Sequence, residues 1–253
     1  MKIVRVQLQN EVTYAVLKED KVLPIKGQPY ENIETDGREF AAADAKLLAP
    51  CEPGKVVAVG LNYLDHIKEM NDPMPDEPVI FLKPSTAVIG PNDAIIWPKR
   101  SEKVSYEAEL ACVIKKTCKK VSYDEAYEYI LGYTCCNDVT ARDLQPIDGQ
   151  WTRAKGFDTF CPLGPVIETE LDPDHLPIQS FLNGEIRQNG NTDQMMRNVR
   201  YLVAFVSSVM TLQPGDVITT GTPMGVGGMQ EGDTIEIRIG GIGSLINTVE
   251  KEA

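Results

Sequence analysis

The chain has 253 residues, 42% of them hydrophobic and 25% charged, which is enough for one large domain or a medium domain with a small companion. Its formal charge of −12 argues against nucleic acid and against an anionic membrane, because both are gripped by basic patches. An anionic substrate would need a local cation to overcome that background field.

Residues 1–48 read as a small N-terminal β unit. Met1-Lys2-Ile3-Val4-Arg5 begins a strand rather than an export signal, and the alternation of apolar and polar residues continues to Leu8. Asn10-Glu11 is a turn, and Val12 to Leu17 is the hairpin partner. The alanine-rich stretch from Phe40 to Leu48 predicts a short helix. Ala49-Pro50 and Pro53-Gly54 then punctuate the chain and mark a boundary, leaving residues 49–253 as the second unit.

Within that unit Lys55 to Gly60 predicts a buried strand and Leu64 to Met70 a brief helix. The proline-rich segment Asn71 to Pro78 is an irregular loop, and Pro78 to Lys83 is another strand. Ser122-Tyr123-Asp124-Glu125 is a capping box that predicts a helix to about Leu131, followed by the apolar run Leu131 to Asn137. Asn183-Gly184 is a hairpin turn, and Val199 to Leu212 is an amphipathic helix stopped by Pro214-Gly215. Asp216 to Val249 reads as short strands joined by glycine-rich turns. Strands outnumber helices and rarely alternate with them, so the fold class is α+β with a mainly β core. No apolar run is long enough to span a membrane. The six cysteines show no Cys-x-x-Cys or zinc-like spacing and read as reduced, buried thiols, which suits the cytoplasm.

The chemistry centres on Tyr106-Glu107-Ala108-Glu109-Leu110, which runs on into a strand. Alternate side chains of a strand share a face, so Glu107 and Glu109 point the same way. Such a pair is either the solvated face of an edge strand or two ligands of a cation that relieves their repulsion. Asp138, at the end of the Leu131 to Asn137 run, is the best third oxygen ligand. Three carboxylates without His or Cys describe a hard site for magnesium, manganese or calcium rather than zinc. His66 and Glu69 lie three residues apart on the short helix, where they are either a surface ion pair or an imidazole tuned as a general base. Arg142 and Gln145 stand close to Asp138 and can grip a carboxylate. Lys155, between Trp151 and Phe157, either snorkels to solvent or stabilises an anion beside the metal. The loop Gly221 to Gly227 can form an anion-binding nest from its backbone N–H groups and the Thr222 hydroxyl.

Taken in order, these blocks resemble the fumarylacetoacetate hydrolase family, in particular its short members that act on acylpyruvates and related 2-oxo acids. The resemblance rests on Asn62-Tyr63 with His66 and Glu69, Phe81-Leu82-Lys83-Pro84-Ser85, Glu107-x-Glu109, and Asn137-Asp138 with Thr140-Ala141-Arg142-Asp143. Trp151-Thr152 with Ala154-Lys155 and Thr220-Gly221-Thr222-Pro223 complete it, from about Val56 onward. It implies a mixed β-sandwich roll, a bound Mg2+ or Mn2+ with Ca2+ as a substitute, and a homodimer. It assigns the ion to Glu107, Glu109 and Asp138, the general base to His66 oriented by Glu69, and oxyanion stabilisation to Lys155. Arg142, Gln145, Thr222, Asn62 and Tyr63 fall to substrate binding. The implied activity is C–C bond hydrolysis of an acylpyruvate-type 2-oxo acid through an enolate. Oxaloacetate decarboxylation and 2-hydroxy-diene-dioate isomerisation are alternatives on the same scaffold, and a metal-stabilised organic-acid-binding protein is the non-enzymatic one. Tyr106 departs from the family, other members of which carry histidine or another residue there.

Overall fold

The computed structural model describes residues 1–9, 11–71 and 73–253. Its central element is the strand Ala108–Ile114, in which every residue is buried. A run of this kind, without glycine or proline, is a strand covered on both faces. Ala108, Leu110, Cys112 and Ile114 enter one hydrophobic cluster, whereas Ala111 and Val113 enter a second. Period-two alternation therefore puts Glu109 on the face of Ala111 and Val113.

This strand belongs to a twelve-stranded mixed sheet. Ile130–Asn137 flanks it on one side and Val217–Thr219 on the other, both antiparallel. Beyond Val217–Thr219 come Val56–Gly60, parallel to it, and then Val79–Lys83. Beyond Ile130–Asn137 the sheet continues through Cys161–Glu168 to the N-terminal strand Lys2–Leu8. A five-stranded sheet covers one face, where Ile178, Ile235, Ile237, Ile239 and Leu245 join Leu110 and Cys112 in one cluster. In a small third sheet, Val104–Tyr106 pairs with Thr140–Ala141 and Gly227–Gly228, which brings together the chain just before Glu107, between Asp138 and Arg142, and after the Thr222 loop. The mainly β, mixed-sandwich architecture expected from the sequence is the one observed.

Residues 1–48 continue the main sheet, with Lys2 opposite Glu168 and Ile3 opposite Ile167. Lys2–Leu8 and Glu11–Lys18 form the expected hairpin; Asn10 of its turn lies outside the described residues, and Glu11 is already strand. The helix expected from Phe40 to Leu48 is replaced by the strand Phe40–Ala41, a single 3-10 turn Ala42–Asp44 and the strand Lys46–Leu47. Lys46 and Leu47 pair with Gln7 and Val6, and a segment this short has too little helical cooperativity to resist that pairing. The capping box forms, with the Ser122 N–H donating to Glu125 Oε2 at 3.2 Å and the Glu125 N–H to Ser122 Oγ at 3.4 Å. It starts only the 3-10 turn Ala126–Tyr129, because Ile130 already enters the sheet. The long helix spans Val199–Val209 and stops short of Leu212, whose backbone pairs with Cys118 instead. All six cysteines are free and buried. Among the described residues no helix is long and apolar enough to cross a membrane.

Candidate active site

Glu107 occupies the break between the strands Val104–Tyr106 and Ala108–Ile114. The register places Ala108 opposite Asn137, so Asp138 emerges beside Glu107 as the neighbouring strand ends. Two hydrogen bonds lock this corner: the Glu107 N–H donates to Asn137 Oδ1 at 2.9 Å, and the Asp138 N–H donates to the Glu107 carbonyl at 2.9 Å. The carboxylate oxygens of Glu107, Glu109 and Asp138 consequently lie within 4.8 Å of one another, all three residues buried.

The cations around this cluster are unevenly shared. Lys155 Nζ bridges Glu107 Oε2 at 2.8 Å and Asp138 Oδ2 at 2.6 Å, and its ammonium stands 5.3 Å from the centre of the Phe81 ring. Arg142 pairs with Glu107, and Lys83 pairs with Asp138. Glu109, only 1% exposed, makes no ion pair among the described residues and accepts the Gly221 N–H at 3.0 Å. Burial works to raise the Glu107 pKa, but the Lys155 and Arg142 cations outweigh it and hold this carboxyl well below its usual range. For Glu109 burial acts in the same direction as the charges of Asp138 and Glu107, and the three together push it well above the ordinary glutamate value. Burial disfavours the Lys155 ammonium, yet Asp138 and Glu107 outweigh that and keep its pKa raised. A crowded trio of hard oxygen donors, one of them without an ion pair among the described residues, fits a divalent cation such as magnesium, manganese or calcium.

The cluster opens into a cavity of about 390 Å3. His66, 7% exposed, lines it, and its Nδ1 lies 3.0 Å from Glu69 Oε2. The helix Leu64–Met70 that carries this pair is tied to the opposite loop, because Gly225 N–H donates to Glu69 Oε1 at 3.0 Å and Met224 N–H to Asp65 Oδ2 at 3.4 Å. The expected anion nest is therefore occupied by the chain's own carboxylates at Gly221, Met224 and Gly225. Gly221 needs to be glycine, since its φ is +86° and a Cβ there would stand 3.0 Å from the Asn62 Cβ. Arg142 Nη1 donates to Gln145 Oε1 at 2.8 Å, and both residues line the cavity, as does Thr222. Trp151 completes a wall by lying across Gly60, where a Cβ would come within 2.4 Å of its ring.

Asn62 and Tyr63, expected at the substrate, do not line this cavity. The Asn62 amide is spent on backbone: it donates to the carbonyls of Thr220 (2.8 Å) and Arg197 (3.0 Å) and accepts the Arg197 N–H (3.0 Å). Tyr63 is fully buried, and its hydroxyl has no partner among the described residues. Burial, and then the Glu109 charge, raises its pKa above the usual phenol value.

Sequence reasoning gave no role to two buried residues that the structure sets against the site. Lys83 is 0% exposed and, besides Asp138, donates to the Val139 carbonyl at 3.2 Å. Gln188, also fully buried, bonds Ala108, Thr222 and Pro223. The signal for Lys83 was a lysine closing the apolar run Val79–Lys83, where a solvated charge has no place. Lys83→Met is expected to destabilise the metal-free protein by about 3 kcal/mol, since it breaks a buried pair. Added magnesium should recover part of the lost Tm, and unchanged Tm values with and without the ion would contradict this role.

Residues 55–250 match the family model described as fumarylacetoacetate (FAA) hydrolase C-terminal, and residues 1–50 match one described as Rv2993c-like, N-terminal. The chain belongs to the fumarylacetoacetate hydrolase family. The mitochondrial oxaloacetate tautomerase of Homo sapiens is 44% identical over 220 residues, or 82% of this chain and 70% of that protein. A crystal structure described as 5-carboxymethyl-2-hydroxymuconate delta-isomerase from Mycobacterium smegmatis superimposes with a TM-score of 0.95 at 46% identity, covering 100% of both chains. A fumarylacetoacetate hydrolase from Exiguobacterium antarcticum gives a TM-score of 0.88 at 37% identity, again over 100% of both chains. This fumarylacetoacetate hydrolase family member thus resembles both isomerases and a hydrolase.

Proposed function

We propose that this chain is a divalent-metal-dependent enzyme that moves a proton beside the keto group of a 2-oxo acid, as a keto–enol tautomerase or double-bond isomerase. One observation carries the reading: the His66–Glu69 pair opens onto the same cavity as the carboxylate trio and Lys155. The tautomerase and isomerase at 44% and 46% identity support it.

Glu107, Glu109 and Asp138 would hold Mg2+ or Mn2+, with Ca2+ as a substitute. Bound there, the ion would supply Lewis-acid polarisation of a keto oxygen and so lower the cost of forming the enolate. His66 Nδ1 is committed to Glu69, which leaves Nε2 as the nitrogen that takes a proton from the carbon next to the keto group. Glu69 balances the imidazolium that results, and Nε2 then returns the proton to the enolate oxygen or to a carbon further along a conjugated chain. Lys155 places a buried positive charge where oxyanion character grows. Gln145 accepts from Arg142, so its amide NH2 is free to donate to a substrate carboxylate.

Hydrolysis of a C–C bond is the second reading, because the same imidazole can activate water against a second carbonyl, and the relative at 37% identity is a hydrolase by name. Decarboxylation of oxaloacetate needs no base, so it leaves His66 without a task. A homodimer and a cytoplasmic location remain part of the proposal, the latter in keeping with six free cysteines.

A spectrophotometric panel with magnesium or manganese tests it, using enol-oxaloacetate, a 2-hydroxy-diene-dioate, acetylpyruvate and fumarylpyruvate. Loss of the enol or diene signal without release of pyruvate is expected. Pyruvate release from the acylpyruvates would favour hydrolysis, and no turnover of any of the four would overturn both readings.

A further inference from the structure

We infer that Gln188 is a positioning residue that fixes the Thr222 hydroxyl as a hydrogen-bond donor to the substrate carboxylate, an inference that rests on the function proposed above. Gln188 comes from the strand Glu185–Asn191 of the five-stranded sheet, not from the sheet that carries the acid cluster. Its Oε1 accepts the Ala108 N–H at 2.9 Å, and its Nε2 donates to the Pro223 carbonyl at 2.8 Å and to Thr222 Oγ at 2.7 Å. Ser180 Oγ accepts the Gln188 backbone N–H at 3.1 Å and steadies the residue from behind.

The orientation of this amide is forced. An N–H can only donate and a carbonyl can only accept, so the fixed polarities of Ala108 and Pro223 decide which end is oxygen. A flipped amide would set NH2 against N–H and oxygen against oxygen. Thr222 Oγ must therefore accept a hydrogen bond from Gln188, and its own hydrogen has to point elsewhere. Among the described residues the hydroxyl donates to no acceptor, although Thr222 is only 4% exposed and lines the cavity beside Glu109 and Lys155. What remains is a donor ready for an anionic group that enters with the substrate. Ala108 sits between the two glutamates, so one side chain ties the acid corner to the loop that meets the ligand.

Oxalate, a planar non-reacting analogue of a 2-oxo acid enolate, is a suitable probe. Its affinity for the magnesium-loaded protein is measured by titration calorimetry in wild type, Thr222→Ala, Gln188→Met and the double variant. Each single change is expected to weaken oxalate by about tenfold or more, the size of one hydrogen bond to a charged group. In the Thr222→Ala background Gln188→Met should have no further effect, because Gln188 acts through that hydroxyl. If Gln188→Met does not fold, Thr222→Ser decides: it should bind within about twofold of wild type, since Gln188 rather than the methyl group orients the oxygen. Additive losses in the double variant, or a Thr222→Ser loss as large as that of Thr222→Ala, would overturn the inference and leave the proposed function standing. Wild type that binds no oxalate would bring down both.

Discussion

Glu109→Gln is expected to lower metal-dependent turnover by on the order of a thousandfold or more, while leaving the metal-free protein at least as stable as wild type. The two effects have opposite signs for one reason. Glu109 is the acid of the trio without an ion pair, so in the metal-free fold its charge is opposed by burial and by Asp138 and Glu107. Glutamine keeps an oxygen for the Gly221 N–H and removes the charge. The pH dependence carries the same signature. The unfolded chain ionises Glu109 at the ordinary glutamate value, whereas the metal-free fold resists until the raised value is passed. Metal-free wild type should therefore lose stability from this group as pH rises through that interval. Glu107, held below its usual range, works the other way: its contribution is present above that range and is lost as pH falls through its depressed value. Stabilisation by added magnesium should accordingly grow as pH rises above the ordinary glutamate value in wild type and be nearly flat in Glu109→Gln. Thermal unfolding with magnesium or with a chelator reads both, and parallel curves for the two proteins would contradict the assignment.

The second large effect is on proton transfer. His66→Ala should lower kcat for tautomerisation or isomerisation by about a hundred- to ten-thousandfold, the usual contribution of a positioned acid–base group. KM should change little, because the substrate carboxylate is left to Arg142, Gln145 and Thr222, which the substitution does not touch. Glu69→Gln should cost less, as it removes the orienting carboxylate and keeps the imidazole. Any oxaloacetate decarboxylation should survive His66→Ala far better than proton transfer does. Equal loss of both activities, or a rise in KM without a fall in kcat, would mean that His66 is not the base.

Where the sequence was informative, the signal was short-range. Glu107 and Glu109 are two residues apart along extended chain and His66 and Glu69 three apart on a helix, so local geometry alone brings each pair together. Asp138 was legible because it closes an apolar run that could only be a strand. Lys83 and Gln188 could not be placed the same way, because their partners lie 55 and 80 residues away and are chosen by sheet pairing. Asn62 differs for another reason: its amide is the right chemistry for a ligand, but after the strand Val56–Gly60 both its N–H donors and its oxygen are engaged by the backbone of Thr220 and Arg197. The helix expected from Phe40 to Leu48 failed where intrinsic preference met an edge with open backbone groups on Val6 and Gln7. In both cases a tertiary partner settled what residue type left open.

Diffraction from crystals soaked in Mn2+, with an anomalous difference map, addresses the central claim without relying on any assay. The account requires a manganese peak within coordination distance of Glu107, Glu109 and Asp138, with Lys155 drawn away from at least one of its two carboxylates. An empty trio at saturating manganese, or a peak bound by other residues, would contradict it.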